Sequence, residues 1–122
     1  MSRELYERAV AISERAYAPY SKYLVGAAVQ TRDGRVFEGV NVENAAYPLG
    51  VCAEKSALVQ AVSEGYRPGD IAAIGITASP CGGCRQWLYE FGIEEIIFLN
   101  SQGELVTYSA AELLPDTWDL PA

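Results

Sequence analysis

Three cysteines and one glutamate carry the reactive chemistry legible in this chain. Cys81-Gly82-Gly83-Cys84 places two thiols at a predicted helix start, and Cys52 stands at another, with Glu54 two positions beyond it. The 122 residues include no histidine, which excludes a Ser-His-Asp triad, a Cys-His pair and every histidine-ligated metal site. Three thiols cannot all pair as disulfides within one chain. The C-x-x-C spacing suits either one zinc ion or a thioredoxin-type redox couple. The third cysteine separates these, because a redox couple has no use for it, whereas three protein ligands with an open fourth position mark catalytic zinc. A carboxylate in the first turn after Cys52 can lean toward the ion without ligating it and shuttle protons there. The plainer readings are buried thiols acting as small apolar groups, a fold-stabilising zinc with a further ligand, and Glu54 as an ordinary acidic residue of a helix start.

These residues need a scaffold, and the apolar spacing predicts one. Leu5, Ala9, Ile12 and Ala16 recur at helical steps over residues 4–18, and Pro19 stops the run. Residues 23–31 and 35–40 read as strands joined at Asp33-Gly34, an antiparallel hairpin. A loop over 41–50 leads to a helix over 52–64, closed by Gly65. Residues 71–77 are almost all apolar, as expected of a central strand covered on both faces. A helix over 81–91 then crosses to a parallel strand over 95–100. A short strand over 103–108 follows, and Ser109-Ala110-Ala111-Glu112 predicts a capping box opening a brief helix through residue 114. The fold class is therefore α/β, a mixed five-stranded sheet with helices against it. The cysteines fall where the chain enters helices, the usual ligand end of such sheets.

Composition narrows the partners. Half of the residues are apolar and 20% are charged, which suits one domain spanning residues 1–122 with a real core. Nine basic against sixteen acidic residues leave a net charge of −7, the wrong sign for a nucleic-acid polymer. No apolar run approaches the ~18 residues of a membrane span, and the N-terminus is charged from its start, so the expected compartment is the cytoplasm.

Zinc-dependent base deaminases combine a cysteine-rich site, a glutamate that is not a ligand and a P-C-x-x-C segment. Cys52-Ala53-Glu54 and Pro80-Cys81-Gly82-Gly83-Cys84 match the three-cysteine form. With Pro19-Tyr20-Ser21, Val25-Gly26-Ala27-Ala28, Asn41-Val42-Glu43-Asn44-Ala45-Ala46-Tyr47-Pro48, Arg85-Gln86 and Glu112-Leu113-Leu114-Pro115, the chain resembles the free-nucleoside cytidine deaminase family over nearly its whole length, in the short, homotetrameric, three-cysteine branch. The resemblance implies a three-layer fold with helices on both faces of the sheet and one catalytic Zn2+ per chain on Cys52, Cys81 and Cys84. It further implies hydrolysis of cytidine and 2′-deoxycytidine to uridine and 2′-deoxyuridine with loss of ammonia, a step of pyrimidine salvage. In this chemistry zinc makes water acidic enough to attack C4. Glu54 carries protons to N3 and to the leaving amine. A homotetramer with pockets shared between subunits is also implied.

Asn41 and Glu43 alternate along an extended segment, so both face one side, where an amide and a carboxylate suit sugar hydroxyls. By resemblance they hold the ribose, Glu43 on the 3′ hydroxyl, with Ala45 and Tyr47 in the same loop and the backbones of Ala53 and Cys81 on the base. Tyr23 takes the place where the family usually has a stacking Phe, and Trp118 that of a late aromatic reaching a neighbouring subunit's pocket. Three thiolates around a divalent cation leave one net negative charge, which helix N-termini and nearby cations can offset. Lys55 stands where the family usually has Arg, and Arg85 is the other nearby cation. The join between Ile76 and Ser79 is shorter than in many relatives. Lys55 also reads as a solvated helix residue, and Tyr23, Tyr47 and Trp118 as core or interface aromatics. The alternative functions are a deaminase of a modified cytosine nucleoside, such as a cytosine-like antibiotic, or a zinc-stabilised binding module without turnover.

Overall fold

The computed structural model describes residues 2–120, so the ends of the expected 1–122 domain lie outside the described residues. The elements follow in the order α1 (Ser2–Ser13), β1 (Gly26–Thr31), β2 (Val36–Val40), α2 (Ala53–Ser63), β3 (Ile71–Ile76), α3 (Gly82–Glu90), β4 (Glu95–Leu99), β5 (Leu105–Tyr108) and α4 (Ala110–Leu113). The sheet order is β2-β1-β3-β4-β5. β3 lies at the centre, antiparallel to β1 and parallel to β4 as the α3 crossover requires. The Asp33-Gly34 hairpin pairs Gly26 with Val40 through Gln30 with Val36.

Alternation along the strands assigns the two faces. Ala27 and Val29 join Ile74 and Ile76 beneath α2 and α3, packed on Ala57, Leu58, Ala61 and Leu88. Ala28, Ala73 and Ile97 point the other way and meet Leu5 and Ala9 of α1. The result is three layers, helix on sheet on helix, and it is the fold class expected from the sequence. Two glycines set how closely the layers approach. A Cβ at Gly39 would lie 2.4 Å from the Ala57 nitrogen and 2.7 Å from the Ala53 oxygen, so α2 rests directly on the β2 backbone. A Cβ at Gly75 would lie 2.7 Å from the Leu5 carbonyl carbon, which seats α1 on β3 in the same way.

Two boundaries differ from expectation. α1 ends at Ser13, well before Pro19. Beyond it, Tyr17 donates its N–H to the Asn41 oxygen at 3.0 Å and accepts from the Glu43 nitrogen at 2.8 Å, a bridge beside Val42 that helical backbone cannot make. β1 starts at Gly26 and not at Tyr23, because Asn41 takes the local backbone groups: its Oδ1 accepts from Val25 N at 2.9 Å and its Nδ2 donates to Tyr23 O at 2.8 Å. The loop over 41–50 contains a single 3-10 turn, Tyr47–Leu49, opened by Pro48. At the other end of the chain the capping box forms as expected, Ser109 Oγ accepting from Glu112 N at 3.2 Å and Glu112 Oε1 accepting from Ser109 N at 2.8 Å.

Candidate active site

Two helix starts converge on one corner. Cys52 caps α2 and Cys81 caps α3, both with extended backbone, and Cys84 lies buried in the first turn of α3. The Cys81 Sγ accepts from Cys84 N at 3.5 Å. Cys52 is brought across by a two-way backbone pair between Val42 and Val51, 2.9 Å in each direction, which closes the loop and sets the α2 start beside the end of β2. The three sulfur atoms lie within 4.8 Å of one another. Tetrahedral zinc with bonds of about 2.3 Å spaces its sulfurs by about 3.8 Å, so small side-chain rotations adapt this cluster to one ion. The donor set therefore fits zinc.

Burial shapes the acidity of the corner. A hydrogen bond from Cys84, with further help from Cys81 and the charge of Lys55, brings the Cys52 thiol down to about 6 against the opposing effect of burial. Cys84, as donor and as a buried group, is pushed far upward. Glu54 is only 4% exposed. Burial first and the Cys52 charge second lift its carboxyl to about 7, opposed by its own backbone N–H, the Cys84 thiol and Lys55. A carboxyl that gains and loses a proton near neutral pH is suited to acid and base work.

A cavity of about 460 Å3 opens beside Cys52, walled by Tyr20, Ser21, Asn41, Glu43 and Tyr47, a size within the ~300–1,000 Å3 range of small-molecule sites. The Glu43 Oε1 accepts from Tyr20 N and Ser21 N, each at 3.0 Å, and its Oε2 accepts from the Ser21 hydroxyl. These bonds, the Ser21 hydroxyl foremost, hold its carboxyl below the usual 4.5.

The remaining sequence-predicted residues are distributed around this core. Ala53 is fully buried at the first position of α2, and Ala45 is exposed in the loop over 41–50. Tyr23 is 62% exposed, with its backbone tied to Ser21 and Asn41, and is not among the residues that wall the cavity. Trp118 is 65% exposed near the C-terminus. Lys55 sets its ammonium 5.8 Å from the centroid of the Trp87 ring. The Arg85 guanidinium bonds Pro80 O at 2.9 Å, Leu113 O at 3.1 Å and Ser79 Oγ at 3.2 Å, so it braces the short join before Cys81 instead of reaching a sulfur. The sequence reading passed over Ser21 and Tyr20 as wall residues. Their signal is the Pro19-Tyr20-Ser21 segment, which ends the helical pattern and belongs to the family resemblance without itself assigning either residue to the site.

The family model for the cytidine and deoxycytidylate deaminase zinc-binding region matches residues 1–100. A cytidine deaminase of Halalkalibacterium halodurans is 42% identical over 119 residues, covering 91% of this chain and 89% of that protein. One from Sporosarcina psychrophila is 42% identical over 110 residues, covering 84% and 79%. The crystal structure of cytidine deaminase from Burkholderia pseudomallei superposes with a TM-score of 0.89 at 46% identity, covering 97% of this chain and 99% of that one. The matched region contains all three clustered thiols and the buried glutamate beside them, and the chain belongs to the cytidine and deoxycytidylate deaminase family.

Proposed function

We propose that this chain is a hydrolase that deaminates the free nucleosides cytidine and 2′-deoxycytidine to uridine and 2′-deoxyuridine, releasing ammonia, in cytoplasmic pyrimidine salvage. The observation that carries the reading is the convergence of Cys52, Cys81 and Cys84 beside buried Glu54, at a cavity walled by Asn41 and Glu43. The three thiolates would hold one Zn2+, which supplies Lewis acidity and favours deprotonation of water near neutral pH.

The chain's own groups do the rest. The Glu54 carboxylate accepts one proton from the attacking water and passes it to N3 of the base. It then takes the remaining proton from the hydroxyl formed on C4 and delivers it to the amine nitrogen, which departs as ammonia as the C4–N bond breaks and the C4 carbonyl forms. Its acidity near pH 7 suits both directions of transfer. Asn41 and Glu43 take sugar hydroxyls, the backbones of Ala53 and Cys81 face the base, and Ala45 and Tyr47 border the substrate. Exposed aromatic surface at Tyr20, Tyr23, Tyr47 and Trp118 supports a homotetramer in which neighbouring subunits cover the pockets. A net charge of −7 favours an uncharged nucleoside over a phosphorylated one.

The test is loss of cytosine absorbance and release of ammonia from cytidine, 2′-deoxycytidine and deoxycytidine monophosphate, with zinc content measured in the same preparation. Turnover of both nucleosides by protein holding about one zinc per chain is expected. Zinc-loaded protein that releases no ammonia from either nucleoside would refute the reading. Light scattering checks the tetramer.

A further inference from the structure

The part of the cavity wall that carries Glu43 is fastened by one small side chain. The Ser21 oxygen accepts the Tyr23 N–H at 3.0 Å, so its single hydrogen is directed to the Glu43 Oε2. Glu43 in turn has both acceptor directions of Oε1 taken by Tyr20 N and Ser21 N. A carboxylate offers about four acceptor sites, which leaves one, on Oε2, beside the Ser21 hydroxyl. The Asn41 amide is half spent on Val25 N and Tyr23 O, leaving one N–H and one acceptor site on Oδ1. The Glu43 Oε2 acceptor and the Asn41 N–H together supply the pair of valences that binds a single hydroxyl.

Between Ser21 and Tyr23 the chain passes through Lys22 at φ 63°, a conformation unfavourable for a residue with a side chain. The Lys22 N–H bonds Ala18 O at 3.0 Å, and the rest of the turn is held by the Glu43 and Asn41 contacts. Without the Ser21 hydroxyl, the Oε2 edge of Glu43 has no fixed partner in this turn, and the carboxylate can twist about its two Oε1 contacts so that Oε2 loses its aim.

We propose that Ser21 is a positioning residue for nucleoside binding: its hydroxyl fixes the Glu43 carboxylate so that one Oε2 acceptor site faces the substrate's sugar hydroxyl. The inference rests on the reading of Glu43 as a sugar contact. Ser21 is exposed, and its hydrogen bonds go to Glu43 and Tyr23 and not to the thiols or Glu54, so its influence falls on binding and not on the chemical step.

Steady-state kinetics of the zinc-loaded enzyme test this with Ser21→Ala, Ser21→Thr and Glu43→Gln, on cytidine and on 3′-deoxycytidine, the latter followed by its inhibition constant if turnover is slow. Loss of one hydrogen bond to a charged group predicts a KM for cytidine about 5- to 20-fold higher in Ser21→Ala, with kcat within about twofold. Ser21→Thr, which keeps the hydroxyl, should return KM to within about twofold of the native value, and Ser21→Ala should leave 3′-deoxycytidine binding unaltered. If Glu43→Gln raises KM but Ser21→Ala does not, the positioning role is overturned and the sugar contact stands. If neither moves KM, the sugar contact itself falls, and the role of Ser21 with it. A kcat that drops alongside the melting temperature in Ser21→Ala, unrescued by Thr, or an equal weakening for 3′-deoxycytidine, shows general loosening and overturns the proposal.

Discussion

At the corner where the thiols meet, Cys84 is fully buried and Glu54 is 4% exposed, whereas in the cavity wall Tyr20 and Tyr47 are each more than half exposed. The thiols bond chiefly to one another; the bond between Cys84 and Cys52 moves the acidity of both, and burial moves that of Glu54. Asn41 and Glu43 instead spend half of their hydrogen-bonding capacity on the backbone of residues 20–25. The same fold thus tunes reactivity in one place by excluding water and geometry in the other by using up valences. A buried group is sensitive to charge, and a half-exposed clamp is sensitive to losing a partner.

That contrast can be broken most sharply at Glu54. Glu54→Gln keeps the shape and removes the proton carrier, so kcat should fall at least ~10²-fold while zinc analysis still finds the metal. Retained turnover would show that the buried corner does not supply the acid and base.

Gly39→Ala comes next, because it strains the support of the corner and leaves the clamp alone. A methyl group 2.4 Å from the Ala57 nitrogen must push α2 off β2, and overpacking of this kind costs about 1–3 kcal/mol. Thermal melting should register the loss, and zinc should dissociate more readily because Cys52 moves with α2. An unchanged melting temperature would mean that the helix accommodates the methyl freely.

A smaller effect sharpens the other half of the comparison. Glu43 is held below 4.5 by the Ser21 hydroxyl, the backbone of Ser21 and Tyr20, and the Lys22 charge. A carboxyl whose acidity is strengthened in the folded state stabilises the fold above its unfolded value, and that contribution disappears as the pH falls through the lower folded value. Glu43→Gln should therefore flatten the loss of stability below pH 4.5 in urea titrations across acid pH. Asp33, lowered by Thr31 and Tyr66 at the hairpin, has the same sign and should still contribute its own acid-side loss in that variant.

The smallest effect is expected at Lys55. Its ammonium rests near Trp87, a contact worth about 0.5–1 kcal/mol where water reaches it. Lys55→Gln should shift stability by no more than that and alter Trp87 fluorescence, while zinc content stays constant. Loss of zinc in this variant would show that the cation serves the thiolates more than the ring.

What the sequence by itself determined is local. The C-x-x-C pair is held by one helical turn, the Asp33-Gly34 hairpin by its turn residues, the α4 start by Ser109 and Glu112, and the buried centre by the apolar run of β3. Each of these follows from neighbours a few residues apart, whose geometry the backbone fixes. The tertiary structure decided which distant groups meet: Cys52 with Cys81 and Cys84, Arg85 with Leu113, Lys55 with Trp87, and Ser21 with Glu43. It also cut α1 at Ser13 and delayed β1 to Gly26, because Tyr17, Tyr23 and Val25 found partners near Asn41. The physical reason is that a backbone amide, a guanidinium or a carboxylate has a fixed number of bonds to make, and folding chooses among partners that sequence spacing leaves equally open.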